Sequence, residues 1–180
     1  MSIDPIFLIS ASLLLSYVFV IASWHKWQDL EVFQETLLNY RILPESLVKL
    51  FSRFVPALEL LCGIGLLIPQ LASFAAILAG SLLLMYIFAI ALNLARGRRS
   101  IDCGCGGSEQ KQAISEWMVV RNSLLLLFAY VVLAFTQTRQ PVLLDWLIAL
   151  LAAVVACLFY NIFNQLLVNR DLLKVLRNHG

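Results

Sequence analysis

Long apolar runs separated by short polar segments dominate the pattern of this chain. Five runs approach or exceed the length of a membrane-spanning helix: Ile6–Trp24, Phe54–Pro69, Leu71–Ala95, Met118–Thr136 and Val142–Leu167. None of them alternates apolar and polar residues as a barrel strand does, and a spanning segment must pair its own backbone groups. The pattern predicts an all-α integral membrane bundle that forms a single domain over residues 1–180.

The longest polar segment, Gln28–Arg53, separates the first two runs. Because its apolar residues recur at helical spacing, it predicts an amphipathic helix lying in the membrane interface. The residues that define this face are Leu30, Phe33, Leu37 and Leu38. Pro44 then opens a second helix that continues into span two, where a kink is expected near Pro56.

Span three contains small residues at every fourth position, Ala72, Ala76 and Gly80. Such a ladder lets membrane helices approach each other closely. A chance spacing in a span rich in leucine and alanine explains the pattern equally well.

Composition and charge agree with a membrane location. Hydrophobic residues make up 61% of the chain and the mean hydropathy is +0.87. Of the 13 lysine and arginine residues, all but Arg139 fall on one side of the predicted bundle. This bias predicts a multi-pass protein of the inner or plasma membrane, with an external N-terminus and a cytoplasmic C-terminus. The net charge of +2 then reflects topology, and no basic–aromatic patch indicates nucleic acid as a partner.

The candidate chemistry lies in the polar loop between spans three and four, which this orientation places in the cytoplasm. Cys103 and Cys105 are separated only by Gly104, whose backbone freedom lets a tight, easily exchanged disulfide form. Nearby cations favour the thiolate; they are Arg96, Arg98, Arg99 and Lys111. Two structural cysteines or half of a metal site are the alternatives. The spacing is not that of a zinc site and no histidine or third cysteine completes one, so no metal is predicted.

A pocket is predicted beneath this loop. Glu59 lies ~9 Å along the helix from Arg53, and Arg121 lies ~6 Å into span four from the same side. Since charges within a membrane are costly unless paired, these depths predict a Glu59–Arg121 ion pair. The supporting residues are Asn122, Asn93, Lys26, Arg96 and Asp102. The alternative is that these polar groups only fix the packing of the helices.

A second pair of cysteines lies deeper. Cys62 and Cys157 are each ~14 Å from the same membrane surface, close to the middle of the bilayer. They are a possible second thiol pair that passes electrons inward. The alternative is that each is a small apolar packing residue.

These features together resemble the methylamine-utilisation MauE family, DoxX-like redox-associated membrane proteins. The matching positions run in order over roughly residues 20 to 125: Lys26, Leu43-Pro44, Pro56, Glu59, Gly63, Arg96-Gly97, Asp102-Cys103-Gly104-Cys105 and Arg121-Asn122. The fifth span matches only in being apolar. The family usually has Phe-Gly after the second cysteine, whereas this chain has Gly106-Gly107.

The resemblance implies a membrane protein that assists maturation of methylamine dehydrogenase. It implies a thioredoxin-like redox partner and a disulfide-containing client, with redox function at Cys103 and Cys105 and a common core that includes Glu59 and Arg121. Disulfide formation in a secreted client belongs outside the cytoplasm, whereas the charge bias places the loop inside. Either reducing equivalents cross the membrane or the loop arginines serve the site instead of topology.

The function that follows is thiol–disulfide exchange, the activity of a possible thiol–disulfide oxidoreductase. A non-catalytic assembly scaffold and a small-molecule or metal carrier are the alternatives. No flavin, nicotinamide or phosphate-binding motif is evident in the sequence, and a quinone has no motif by which a sequence could reveal it.

Overall fold

The structure, a computed structural model, describes residues 2–99, 101–103, 114–137 and 139–179. Within these ranges six helices and two short strands form. They are β1 (Ser2–Ile3), α1 (Pro5–Gln28), α2 (Leu30–Tyr40), α3 (Glu45–Leu67), α4 (Ala72–Ala95), α5 (Glu116–Ala134), β2 (Thr136–Gln137) and α6 (Leu143–His179). Five of the helices, all except α2, are long and apolar enough to cross a membrane. The predicted all-α bundle of five spans is confirmed.

Local sequence sets where the first helix begins. The Asp4 carboxylate accepts a hydrogen bond from the backbone N–H of Ile6 at 3.0 Å, which satisfies one of the free donors of α1. Pro5 occupies the first turn, where its missing N–H costs nothing. The two strands pair in parallel, Ser2 with Thr136 and Ile3 with Gln137, an arrangement that the apolar pattern does not predict.

The amphipathic segment folds as two helices. α2 ends at Arg41, which adopts a left-handed conformation with φ of 49°. α3 then begins after Pro44 and continues through Pro56 to Leu67, so the predicted second helix and span two are one element. Pro56 lies inside α3 and has no N–H, and its carbonyl oxygen accepts a hydrogen bond at 2.8 Å from the Ser23 hydroxyl of α1.

α1 lies at the centre of the bundle. It packs against α3, α5 and α6, while α4 packs between α3 and α5. The main apolar core is built from α1, α3, α4 and α5, and its most buried members are Leu15, Phe19, Cys62, Ala76, Ala79, Leu83 and Ala129. These are mostly small and medium side chains, which suit closely spaced membrane helices.

Among the described glycines, the tightest helix contact lies at Gly63 and not on the predicted ladder. A Cβ added to Gly80 would meet Leu126 at 3.6 Å, an ordinary contact. A Cβ added to Gly63 of α3 would lie 2.6 Å from a methyl group of Val20 and 3.2 Å from the Ser16 carbonyl oxygen of α1. Gly63 therefore allows the two helices to pack, and the Ser16 hydroxyl donates to its carbonyl oxygen at 2.7 Å.

The bundle end opposite the predicted site has its own ion pairs. Both terminal nitrogens of Arg139 donate to the Asp145 carboxylate, one of them at 2.7 Å, and Asp4 lies 3.7 Å away. These hydrogen bonds with Asp145 are the main reason that the pKa of Arg139 is raised. Asp145 thus has a partner, as a charge within a span requires. Helix α6 extends beyond the predicted end of span five at Leu167 and reaches His179.

Candidate functional site

A buried ion pair joins α1 to α3. The Lys26 ammonium lies 2.5 Å from Oε1 of Glu59, and only 4% of Lys26 and 1% of Glu59 is exposed. Tyr86 of α4 donates a hydrogen bond to the same carboxylate oxygen at 2.6 Å. The ammonium also lies 5.1 Å from the Tyr86 ring centroid and 5.4 Å from that of Phe33, within the range of cation–π attraction.

The predicted Glu59–Arg121 ion pair is wrong, because Glu59 pairs with Lys26 instead. Arg121 donates a hydrogen bond to the side-chain oxygen of Asn164 at 3.0 Å, and its guanidinium carbon lies 6.0 Å from the Tyr160 ring centroid. Within the described ranges, no carboxylate lies within ion-pair distance of Arg121. Its positive charge is therefore balanced by an amide dipole and an aromatic face.

Glu59 and Arg121 nevertheless line the same cavity, of about 250 Å³. Four helices besides α3 contribute polar side chains to its wall: His25, Lys26, Tyr86, Arg121, Asn122, Tyr160, Asn161, Asn164 and Gln165. Polar side chains of several spans therefore meet at one end of the bundle, and of the predicted supporting residues Lys26 and Asn122 line the cavity. We call this space the charged cavity.

The charged cavity retains unsatisfied polar groups. Three buried side-chain atoms find no hydrogen-bond partner among the described residues: Oε2 of Glu59, Nε of Arg121 and Oδ1 of Asn93. Two of these belong to charged side chains that face the same space. Because buried polar atoms are costly when unsatisfied, such a cavity suits water or a polar ligand better than an apolar one.

The loop that carries Cys103 is anchored close to this cavity. The backbone N–H of Ile114 donates to the carbonyl oxygen of Ile101 at 2.9 Å, which draws the two sides of the loop together. Arg98 donates to the carbonyl oxygen of Asn39 at 3.2 Å and so links the loop to α2. Hydrogen bonds at its base therefore hold the loop against the amphipathic helix.

Cys103 is disulfide-bonded, and it packs in a small apolar cluster with Tyr40, Ile90, Ile114 and Met118. Only 8% of it is exposed. The Tyr40 hydroxyl donates to the carbonyl oxygen of Cys103 at 3.5 Å. Burial raises the pKa of Tyr40, and the nearby Asp102 carboxylate raises it further, whereas Arg121 lowers it. Tyr40 therefore remains a neutral hydrogen-bond donor beside the cysteine.

Cys103 is thus covered by the apolar cluster around it. Cys105, its three glycine neighbours and Lys111 lie outside the described residues. Two of the supporting residues predicted for the pocket do not line the charged cavity. Arg96 is exposed at the end of α4, and Asp102 lies close enough to Tyr40 to affect its pKa.

Cys62 and Cys157 are both free thiols. Cys62 is fully buried in the main core, and Cys157 packs against that core from α6. Both positions fit the reading of small apolar packing residues, and the second thiol pair stays a prediction. Among the described residues no group of three or more histidine, cysteine or acidic side chains could hold a metal ion.

Sequence reasoning missed the tyrosines. Tyr86 bonds Glu59, Tyr40 bonds the backbone of Cys103, and Tyr160 lies against Arg121. Tyr86 and Tyr160 lie in apolar spans and Tyr40 ends the amphipathic helix, and in each place a phenol ring resembles any other aromatic packing residue. The signal in the sequence was the tyrosine hydroxyl, which usually forms a hydrogen bond when the side chain is buried.

Together these elements define a helical integral membrane protein. A cavity with an excess of positive charge lies at one end of the bundle, and a loop anchored to the amphipathic helix carries a disulfide-bonded cysteine. The family model for methylamine utilisation protein MauE matches residues 4–135. The chain belongs to the MauE family.

Individual relatives agree. The chain is 33% identical over 159 residues to methylamine utilization protein MauE of Paracoccus denitrificans, covering 88% of this chain and 86% of that protein. It is 42% identical over 102 residues to the MauE protein of Methylophilus methylotrophus, covering 57% of this chain and 54% of that protein. No solved structure matches the chain significantly. The predicted MauE family is confirmed.

Proposed function

We propose that this protein transfers a disulfide during maturation of a client protein, using Cys103 and Cys105 as its redox pair. The observation that carries the proposal is that Cys103 is disulfide-bonded while Cys62 and Cys157 are free thiols. The names of its relatives add methylamine utilisation, so a methylamine dehydrogenase subunit rich in disulfides is the proposed client. A thioredoxin-like protein is the proposed intermediary between the two.

The burial of Cys103 assigns different roles to the two cysteines. A folded protein cannot reach a sulfur that belongs to a residue only 8% exposed, so the partner's thiolate attacks Cys105. The Cys103–Cys105 bond breaks, a mixed disulfide forms at Cys105, and Cys103 leaves as a thiolate. A second partner thiol then displaces Cys105. One disulfide passes to the partner, and Cys103 and Cys105 are left reduced.

The surroundings of Cys103 support its role as the leaving thiol. Hydrogen bonds from Arg98 and Tyr40 hold the loop base and the Cys103 carbonyl in place, so the sulfur keeps its position when the disulfide opens. The excess positive charge of the charged cavity favours a negative group nearby. Because Glu59 neutralises the charge of Lys26, Arg121 is the cation of this cavity whose charge favours a thiolate at Cys103.

The prediction is that replacing either loop cysteine abolishes maturation. In a methylamine-utilising host without its own MauE protein, Cys103→Ser and Cys105→Ser should each leave the client's disulfides unformed, as measured by thiol alkylation and mass shift. The matched controls Cys62→Ala and Cys157→Ala should mature the client normally. A protein without any cysteine that still matures the client would reject redox chemistry in favour of a scaffold.

The role of each cysteine can be tested by trapping. Run in reverse, the scheme has the Cys105 thiolate attack the disulfide of the oxidised partner and Cys103 resolve the mixed disulfide, so Cys103→Ala should accumulate a mixed disulfide between Cys105 and the oxidised partner. Cys105→Ala should trap nothing, since Cys103 is buried. Non-reducing electrophoresis followed by mass spectrometry identifies the trapped protein, and equal trapping by both variants would overturn the assignment.

A further inference from the structure

A second cavity lies beside Cys103, separate from the charged one. It also measures about 250 Å³, and it is lined by residues of α2, α3 and α4, of the α2–α3 connection and by Cys103. Its wall is almost wholly apolar, with Phe33, Leu37, Phe51, Met85, Ala89 and Ile90 among its members. Tyr86 lines both spaces, so its ring separates this apolar cavity from the buried charges.

The hydroxyl groups in this wall are already engaged. Thr36 donates to the Val32 carbonyl oxygen, Tyr40 to that of Cys103 and Tyr86 to the Glu59 carboxylate. A molecule in this space therefore meets carbon and sulfur surfaces, and an apolar ring suits it better than an ion. A volume of this size lies just below the usual range of small-molecule pockets, about 300–1,000 Å³, and so suits a small ring.

The rim of the apolar cavity is also apolar. Ile42 is 39% exposed and Met85, on a predicted membrane span, is 38% exposed. A lipid-soluble molecule can thus reach Cys103 by a path that a protein or a hydrophilic oxidant cannot follow. Such access is needed on this side, because Cys103 is otherwise covered by its packing cluster.

We propose that the apolar cavity binds the ring of a membrane quinone, which reoxidises the Cys103–Cys105 pair. The inference rests on the proposed function, which leaves the two cysteines reduced after each transfer. In the step, two S–H bonds break and one S–S bond forms. The quinone takes up the two electrons and two protons and leaves as the quinol, so no further oxidant is required.

The test uses the full chain in detergent, with Cys62→Ala and Cys157→Ala so that only the loop thiols react. Protein reduced with dithiothreitol and desalted without oxygen is mixed with decylubiquinone, whose fully substituted ring cannot form thiol adducts. Loss of quinone absorbance is expected at one equivalent per protein, as Cys103 returns to the disulfide. If the reduced protein consumes no quinone, the inference is wrong.

A cavity-filling variant tests whether the quinone binds in the apolar cavity. Ala89→Phe places a ring in the cavity and should slow quinone reduction about tenfold, equivalent to about 1.4 kcal/mol of lost binding. The matched control is Ala91→Phe, at an exposed position two residues along α4, which should react at the parent rate. Equal slowing by both substitutions would overturn the site.

A second cavity-filling variant keeps the test decisive if Ala89→Phe misfolds. Leu37→Trp fills the cavity from α2 and should also slow the reaction, whereas Leu38→Trp, at an exposed neighbour, should not. Diamide, a hydrophilic oxidant that does not depend on the apolar cavity, should close the disulfide equally fast in all four variants. If the loop cysteines are required for maturation and yet reduce no quinone, this inference fails and the proposed function stands. If maturation survives without these cysteines, the proposed function fails whatever the quinone assay shows.

Discussion

Replacing Lys26 with methionine should lower the free energy of unfolding by about 3–5 kcal/mol, the usual cost of leaving one buried charge unpaired. Glu59 would lose its only cation within the described ranges and keep just the Tyr86 hydroxyl. Its second carboxylate oxygen already lacks a partner there. Unfolding by sodium dodecyl sulfate in mixed micelles, followed by circular dichroism, measures the change.

Two controls separate the pair from general damage. The double variant Lys26→Met with Glu59→Gln removes both charges and should be more stable than Lys26→Met alone, because no buried charge is left unpaired. Arg99 and Glu116 form an ion pair at 2.6 Å with side chains 64% and 63% exposed, and Arg99→Met should cost less than about 1 kcal/mol. If the losses in the free energy of unfolding from Lys26→Met and Glu59→Gln simply added in the double variant, the two side chains would not be coupled.

The spans and the polar end of the bundle could be predicted because both depend on position along the chain. An apolar run sets the ends of a membrane helix to within a few residues, as α4 at Ala72–Ala95 shows against the predicted Leu71–Ala95. Distance along a helix also gives depth, so Glu59, Arg121 and Asn122 were correctly placed at one end.

The identity of the ion pair could not be predicted in the same way. Depth does not determine which face of a helix a residue occupies relative to its neighbours, and that depends on how the helices pack. Glu59 and Lys26 lie on the facing sides of α3 and α1, with Tyr86 of α4 completing the contact. Lys26 was counted among the topogenic cations, but its burial shows that it balances a charge inside the bundle.

The loop arginines show a related ambiguity between topology and structure. Arg98 bonds the backbone of α2, and Arg99 pairs with Glu116 at the start of α5. Both therefore stabilise the base of the cysteine loop, and they cannot be counted as free positive charge. This favours the alternative in which these arginines serve the site, and the orientation of the loop stays a prediction.

The position of the tightest glycine contact was another feature that the sequence did not reveal. A ladder of small residues is conspicuous in Ala72, Ala76 and Gly80, yet Gly80 has room for a side-chain carbon. Gly63 belongs to no such repeat, and yet a Cβ added there would meet α1 at 2.6 Å. Close packing depends on the atoms facing a glycine, and these become known only when the helices are assembled.

Gly63→Ala should therefore destabilise the protein by about 1–3 kcal/mol, the usual cost of an overpacked core. The new methyl group would lie 2.6 Å from Val20 and 3.2 Å from the backbone oxygen of Ser16. Val20 can rotate away, but the α1 backbone cannot move without disturbing the bond from Ser16 to the Gly63 carbonyl. Since Lys26 and Glu59 lie farther along the same two helices, separating the helices should also weaken the buried ion pair.

The matched control is Gly80→Ala, which meets Leu126 at an ordinary 3.6 Å and should stay within about 1 kcal/mol of the parent. Adding Val20→Ala to Gly63→Ala removes the nearer clash and should restore part of the lost stability, leaving the cost of the contact with the Ser16 backbone. Unfolding in mixed micelles compares all three with the parent protein. If Gly80→Ala were as destabilising as Gly63→Ala, the ladder on span three would be the tightly packed interface. The packing of α1 against α3 would then not depend on the absence of a side chain at Gly63.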